Sequence, residues 1–310
     1  MTKRLLTLIL SACLLLSFGS SSAQEDTTKA WTKSGVFGLN FSQSSFSNWA
    51  AGGENSVALN SLFIGGAHYK KNKMIWENDL ELAFGEIYQK STDWRKSDDK
   101  IAFSSKVGYK AFKDWYYAAI LGFKTQFAKG YNYPNDSIAI SNFLAPAYLN
   151  FGLGLDYKPN DNFSCLIAPA NLRLIIVNDQ DLADVGAYGV DPAEYDGNNN
   201  IVKKGEKTRT EIGGLIRIQY AKDLLENVAL KTKLELFSNY IEEPQNIDVL
   251  WDVLLSFKVN QYINATLNTS LIYDDNTLVA IDDNGDDVPD RAAPRTQFKE
   301  VFGLGFSYKF

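Results

Sequence analysis

Between Met74 and Tyr88 the chain alternates. Met74, Trp76, Leu80, Leu82, Phe84 and Tyr88 share one parity, and Glu77, Asp79 and Glu81 share the other. Side chains of a strand change face at every residue, whereas a helix returns to the same face every 3.6 residues. Period two therefore means strand. Trp115–Phe127 repeats the pattern, with Trp115, Tyr117, Ala119, Leu121, Phe123 and Phe127 against Lys124 and Gln126. Counting such stretches predicts about twelve strands, at 35–43, 55–69, 74–89, 99–110, 115–128, 147–158, 163–177, 208–220, 228–240, 247–259, 263–273 and 297–310. Most exceed the ~5–6 residues usual in soluble sheets and reach the ~9–11 that cross a tilted bilayer. Within 163–177 the apolar phase slips near Pro169, which predicts a bulge.

The connections sort by length. Short turns fall at Lys70–Lys73, Lys110–Asp114, Pro159–Asn162, Ala221–Asn227 and Asn260–Tyr262. Between them lie longer connections at Ser44–Glu54, Lys90–Asp98, Lys129–Pro146, Asn178–Lys207, Ile241–Asn246 and Asp274–Thr296. An outer-membrane barrel shows this alternation, with short periplasmic turns and long extracellular loops; a soluble sandwich need not. The predicted fold is an all-β, transmembrane, antiparallel up-and-down β-barrel. Tyr69, Trp76, Tyr88, Trp115, Phe127, Tyr157, Tyr220, Tyr240 and Tyr273 fall near strand ends, where their apolar bodies and polar tips suit the headgroup boundary.

The N-terminus agrees with export. Lys3 and Arg4 precede an apolar stretch, Leu5–Phe18, and Ser21-Ser22-Ala23 forms a small-residue cleavage site, the grammar of a secretory signal peptide. Residues 1–23 read as that signal and 24–310 as the barrel. Leu10-Ser11-Ala12-Cys13 resembles a lipobox, but Cys13 comes early and is followed by more apolar residues. Removing Lys3 and Arg4 takes the net charge from −6 to −8, which argues against nucleic acid as a partner. Cys165 would then be the only thiol, which rules out an internal disulfide or a cysteine-based metal site.

In the last strand Phe302, Leu304, Phe306, Tyr308 and Phe310 occupy every second position, opposite Gly303, Gly305, Ser307 and Lys309. This resembles the C-terminal β-signal of outer-membrane proteins, which implies the barrel-assembly machinery as a partner during biogenesis and outer-membrane lipid as the surroundings. Three further stretches carry a family resemblance: Asn48-Trp49-Ala50-Ala51-Gly52-Gly53 with Ser56, Trp94-Arg95-Lys96-Ser97-Asp98-Asp99-Lys100, and Pro294-Arg295-Thr296-Gln297-Phe298-Lys299-Glu300. In these the chain resembles Bacteroidota outer-membrane proteins catalogued as domain of unknown function 3078 (DUF3078). The resemblance implies a barrel in the cell outer membrane of a Gram-negative bacterium and adds no catalytic residue.

The inward parity collects charge. Glu77, Asp79, Glu81, Glu211, Glu235, Asp248 and Asp252 fall there with Lys106, Lys124, Arg173, Arg217, Lys231 and Lys233. Two readings stay open: opposite charges pair and shut a narrow interior, or they line a water-filled passage. Their near balance argues against strong ion selectivity. Enzymatic function is disfavoured, because the single histidine, His68, falls on the inward parity near a short turn, and GxSxG, HExxH and P-loop motifs are all missing from the sequence. The acidity sits in the long loops. There Asp282-Asp283-Asn284-Gly285-Asp286-Asp287-Val288-Pro289-Asp290 resembles a single thrombospondin type 3 calcium repeat, with Asp282, Asn284, Asp286 and Asp290 as candidate Ca²⁺ ligands among the six to eight hard oxygens the ion prefers. Ser44–Gly53, with Phe46 and Trp49 among small residues, is a candidate constriction or rim loop. The expected function is a non-enzymatic, porin-like barrel giving narrow passage to a small solute. The alternative is a closed-lumen accessory subunit of an outer-membrane protein complex.

Overall fold

The computed structural model describes residues 30–45, 54–133, 135–260, 263–281, 283 and 290–309. The expected export segment lies outside them, as do Phe46 and Trp49. Twelve strands form one closed barrel. They are β1 (Trp31–Ser44), β2 (Ser56–Lys71), β3 (Met74–Gln89), β4 (Asp93–Phe112), β5 (Trp115–Thr125), β6 (Ala147–Asn160), β7 (Phe163–Ile176), β8 (Thr208–Leu225), β9 (Val228–Asn239), β10 (Ile247–Lys258), β11 (Ile263–Tyr273) and β12 (Gln297–Lys309). Each pairs antiparallel with its neighbours in sequence, and β12 returns to β1. Among the described residues that closing ladder is short: five residue pairs, Val36 with Lys309 through Asn40 with Gly305. The β1–β2 ladder runs from Trp31 with Tyr69 to Ser44 with Ser56.

The bulge at Pro169 is present. On one side Leu153 pairs Ala170 and Leu155 pairs Ile167; on the other Gly213 pairs Asn171 and Leu215 pairs Ala168. β7 thus carries one extra residue against both neighbours, which absorbs a proline that cannot donate to the ladder. Gly154 sits opposite the bulge, and a Cβ there would lie 1.9 Å from the Ile167 carbonyl oxygen, so the close approach requires glycine.

One connection departs from expectation. The long loop expected at 90–98 is a tight turn, because β3 ends at Gln89 and β4 begins at Asp93. The charged run that reads as loop continues the ladder, with Tyr88 opposite Trp94 and Ile87 opposite Arg95. Its charges are met by partners: Asp98 reaches Lys299 of β12 at 2.7 Å on the inner face, and Lys96 pairs Asp99 at 2.8 Å on the other, where the backbone of Phe127 and Ala128 covers them. The strict alternation of short and long connections therefore fails at this point.

The outer wall is apolar, with Leu39, Phe41, Leu121, Phe151, Leu172, Ile216, Trp251, Phe302, Leu304 and Phe306 exposed on it. Phe302, Leu304 and Phe306 thus face outward as expected, while the Tyr308 side chain and Phe310 lie outside what is described. Near the short turns aromatic rings touch around the circumference. Trp31 contacts Tyr69 and Trp76 at 5.3 and 5.5 Å, and Trp115 contacts Phe112 and Tyr157 at 6.2 and 5.0 Å.

At the other end two loops fold together. The segment 177–207 contains α1 (Gln180–Asp184), capped by Asp179, which accepts from the Asp181 N–H. Leu182, Ala183 and Val190 pack with Ala145, Ile175 and Val177 in a buried cluster, against which Tyr148 and Tyr188 lean. The sequence gives little warning of this cap, since its apolar residues are too few to show a period.

Candidate functional site

The lumen is the site, and inward parity alone decides which side chains enter it. Charged groups there have little water, so each needs a partner. The structure supplies partners in three layers.

Nearest the short turns, Lys106 of β4 lies 2.6 Å from Asp156 of β6, 2.8 Å from Ser164 Oγ of β7 and 3.1 Å from Glu77 of β3. Ser164 donates to the other Asp156 oxygen at 2.7 Å. Asp156 has no exposed surface. Glu77 also pairs with Lys158, and His68 Nε2 is 2.9 Å from Asp79 Oδ1.

At the waist, Lys100 of β4 bridges Glu81 at 2.9 Å and Asp252 of β10 at 3.4 Å. β4 and β10 stand six strands apart either way round the ring, so this contact spans the full lumen. Asp252 is also held by Lys233 at 3.5 Å and accepts from Ser270 Oγ at 2.5 Å. Arg217 of β8 places Nε 2.9 Å from Glu235 and donates from Nη1 to Ser104 of β4 at 2.8 Å.

Nearest the long loops, Arg173 of β7 pairs with Asp248 of β10, lies 3.4 Å from Glu211 and stacks 3.6 Å from the Phe237 ring. Arg209 reaches Glu211 at 3.2 Å and donates to the Gly189 carbonyl of the cap at 2.7 Å.

A cavity of about 670 Å³ runs through these layers, from Asp161, Asn162 and Lys231 by the short turns to Ile140, Tyr188 and Thr277 under the loops. Of the thirteen residues expected in the lumen, Glu77, Asp79, Glu81, Lys124, Arg173, Arg217, Lys231, Lys233, Glu235, Asp248 and Asp252 line it. Lys106 is instead enclosed among its partners, 4% exposed. Glu211 faces a separate pocket of about 280 Å³ at the rim, shared with Glu242, Glu243 and Asp275. Sequence reasoning missed Lys100 and Lys158. Lys100 shares the parity of Lys106 on β4 and Lys158 that of Asp156 on β6, and that signal locates both.

The cap roofs the cavity through polar contacts. Tyr188 donates to the Ile140 carbonyl at 2.7 Å, and burial pushes its phenol up to about 12. Asn142 donates to Asp179 at 2.9 Å, the main reason Asp179 sits below its ordinary value. Asp184 accepts from the Gly205 N–H at 2.8 Å and from Gln180 at 2.6 Å, and these bonds lower it in the same way, the Gly205 bond most. A carboxylate lowered on folding stabilises above its unfolded pKa, about 3.9. That contribution is lost as pH falls through the lower folded value. The Gly205 amide is therefore expected to be protected from hydrogen exchange at pH 6 and to lose protection below about pH 4. Asp184→Asn should show low protection throughout. A wild-type protection factor unchanged between pH 6 and pH 3 would mean that this carboxylate does not hold the loop.

Of the candidate calcium ligands, Asp282, Asn284 and Asp286 lie outside the described residues. Asp290 accepts from the Asp283 N–H at 2.8 Å, and Asp283 pairs with Arg291 at 2.6 Å. Among the described residues no three His, Cys, Asp or Glu side chains gather as a metal site.

Residues 41–131, from the end of β1 past the end of β5, match the family model described as "Protein of unknown function (DUF3078)". No curated protein matches the chain. Among solved structures, the chain is similar to the translocator domain of autotransporter NalP from Neisseria meningitidis, at 9% identity over 100% of this chain and 97% of that one, TM-score 0.38. It is similar to the COG4313 outer membrane channel from Pseudomonas putida F1, at 10% identity over 94% and 100%, TM-score 0.38. It is also similar to outer membrane phospholipase A from Escherichia coli, at 11% identity over 93% and 94%, TM-score 0.35. These likenesses carry no argument about activity.

Proposed function

We propose that this chain is a non-enzymatic β-barrel of the outer membrane of a Gram-negative bacterium, whose lumen gives narrow passage to a small polar solute. In this reading the signal ending at Ala23 exports it, the short turns face the periplasm, and the loops with their cap face outward. The barrel-assembly machinery reads the terminal strand, and the Asp282–Asp290 segment takes Ca²⁺ weakly. Support for membrane residence comes from the apolar outer wall with its aromatic contacts near the short turns. The observation that carries the passage reading is the charged cavity running the length of the lumen, interrupted at the waist by the Lys100–Asp252 contact. Such a constriction passes a solute when the pair parts. The same contact, together with the cap, favours a second reading: a closed-lumen accessory subunit of an outer-membrane protein complex.

Single-channel recording in a planar bilayer, with and without Ca²⁺, separates the two. Wild-type protein is expected to give small, discrete steps, and Lys100→Gln with Asp252→Asn larger ones. Silence from both proteins, each verified as folded, would remove the passage reading in favour of the second. Pull-down from native membranes would then look for the partner.

A further inference from the structure

Five lysines line the lumen cavity: Lys100, Lys124, Lys158, Lys231 and Lys233. Three meet carboxylates. Lys231 is exposed near the short-turn end, where water solvates it. Lys124, on β5 at the waist, is not exposed, and it has neither an ion-pair nor a hydrogen-bond partner among the described residues. Around it stand Lys100, Lys233, Glu235 and Asp252, and the ion pairs these make add one further cation, Arg217, and one further carboxylate, Glu81. The waist therefore holds one cation more than it has carboxylates, in surroundings where an uncompensated charge is costly.

Two further vacant valences face the same place. Gly122 lies two residues before Lys124 on the same face of β5, opposite Asn150 of β6. Its missing side chain leaves a notch. A Cβ there would stand 3.6 Å from Arg217 Nη2 and 3.7 Å from Asn150 Cβ. Among the described residues Nη2 donates no hydrogen bond, whereas Nη1 donates to Ser104. Asn150 Oδ1 is buried and has no hydrogen-bond partner. The notch thus offers an ammonium and a guanidinium N–H to an anion, and one orphan acceptor to a neutral donor. An ammonium would be repelled by the excess of cations, so the donor is a hydroxyl.

We propose that the Gly122 notch binds a small hydroxycarboxylate, with its carboxylate against Lys124 and Arg217 Nη2 and its hydroxyl donating to Asn150 Oδ1. The proposal rests on the reading of the lumen as a passage for a small polar solute and names that solute's class. Its test is calorimetric titration of the refolded full chain in detergent micelles with glycolate, using acetate as the analogue that lacks the hydroxyl. Glycolate should bind saturably and acetate several-fold more weakly. Lys124→Met should lose about tenfold or more in affinity, and Lys231→Met should bind like wild type. Gly122→Ala, which narrows the notch without changing charge, should also weaken binding and stands in if Lys124→Met fails to refold. No saturable heat from folded wild type overturns the proposal. So does equal binding by Lys124→Met, an equal loss in Lys231→Met, or acetate binding as tightly as glycolate. Titration in micelles needs no conduction, so the two failures separate. Channel steps without glycolate binding sink this inference alone, and glycolate binding by a silent barrel sinks the passage reading alone.

Discussion

Lys106→Met is expected to lower the unfolding free energy by about 3–5 kcal/mol. The substitution leaves Asp156, which has no exposed surface, without the ammonium 2.6 Å away. Glu77 keeps Lys158, so the damage centres on Asp156. A double variant, Lys106→Met with Asp156→Leu, removes both charges and should recover most of the loss, because an apolar pair needs no compensation. Urea unfolding from lipid vesicles, followed by tryptophan fluorescence, reads both. A loss below about 1 kcal/mol in the single variant would show that Ser164 and neighbouring water solvate Asp156 unaided.

The second large effect belongs to the outer wall. Leu121 and Phe151 face each other across β5 and β6, both exposed, near the middle of their strands. If hydrocarbon surrounds them, Leu121→Arg should cost about 2–4 kcal/mol. Val202→Arg, which adds the same charge to an exposed side chain of the 177–207 loop, should cost much less, since water surrounds that position. Equal costs in the same vesicle assay would place water, not lipid, against Leu121 and remove the membrane reading.

Much of this architecture is legible in one dimension because a strand with two different faces writes itself as alternation. Met74–Gln89 and Trp115–Thr125 are readable for that reason. Pro169 marks its own bulge, as it cannot donate to the ladder. Arg95–Asp99 misleads for the opposite reason. Five polar residues in a row look like a loop, and only the enclosed partners of Lys96 and Asp98 make them tolerable in a strand. Those partners lie up to 201 residues away in sequence. The lumen divides in the same way. Parity places a charge inside, but which lysine meets which carboxylate follows from strand tilt and stagger. Nothing near Lys100 in sequence points to Asp252. The vacancy beside Lys124 is illegible too, because it is defined by the partners its neighbours have already taken.

The short ladder between β12 and β1 has a mechanical consequence. A ring held by ladders parts first where the fewest bonds act in parallel, and among the described residues five pairs close this one. The Asn40 side chain presses against the positions of Gly303 and Gly305, where any Cβ would collide with it, so the seam is thin as well as short. Strain applied anywhere around the wall therefore concentrates on a single line of the circumference. A barrel that yields along one line opens sideways, toward whatever surrounds it, before it opens end to end.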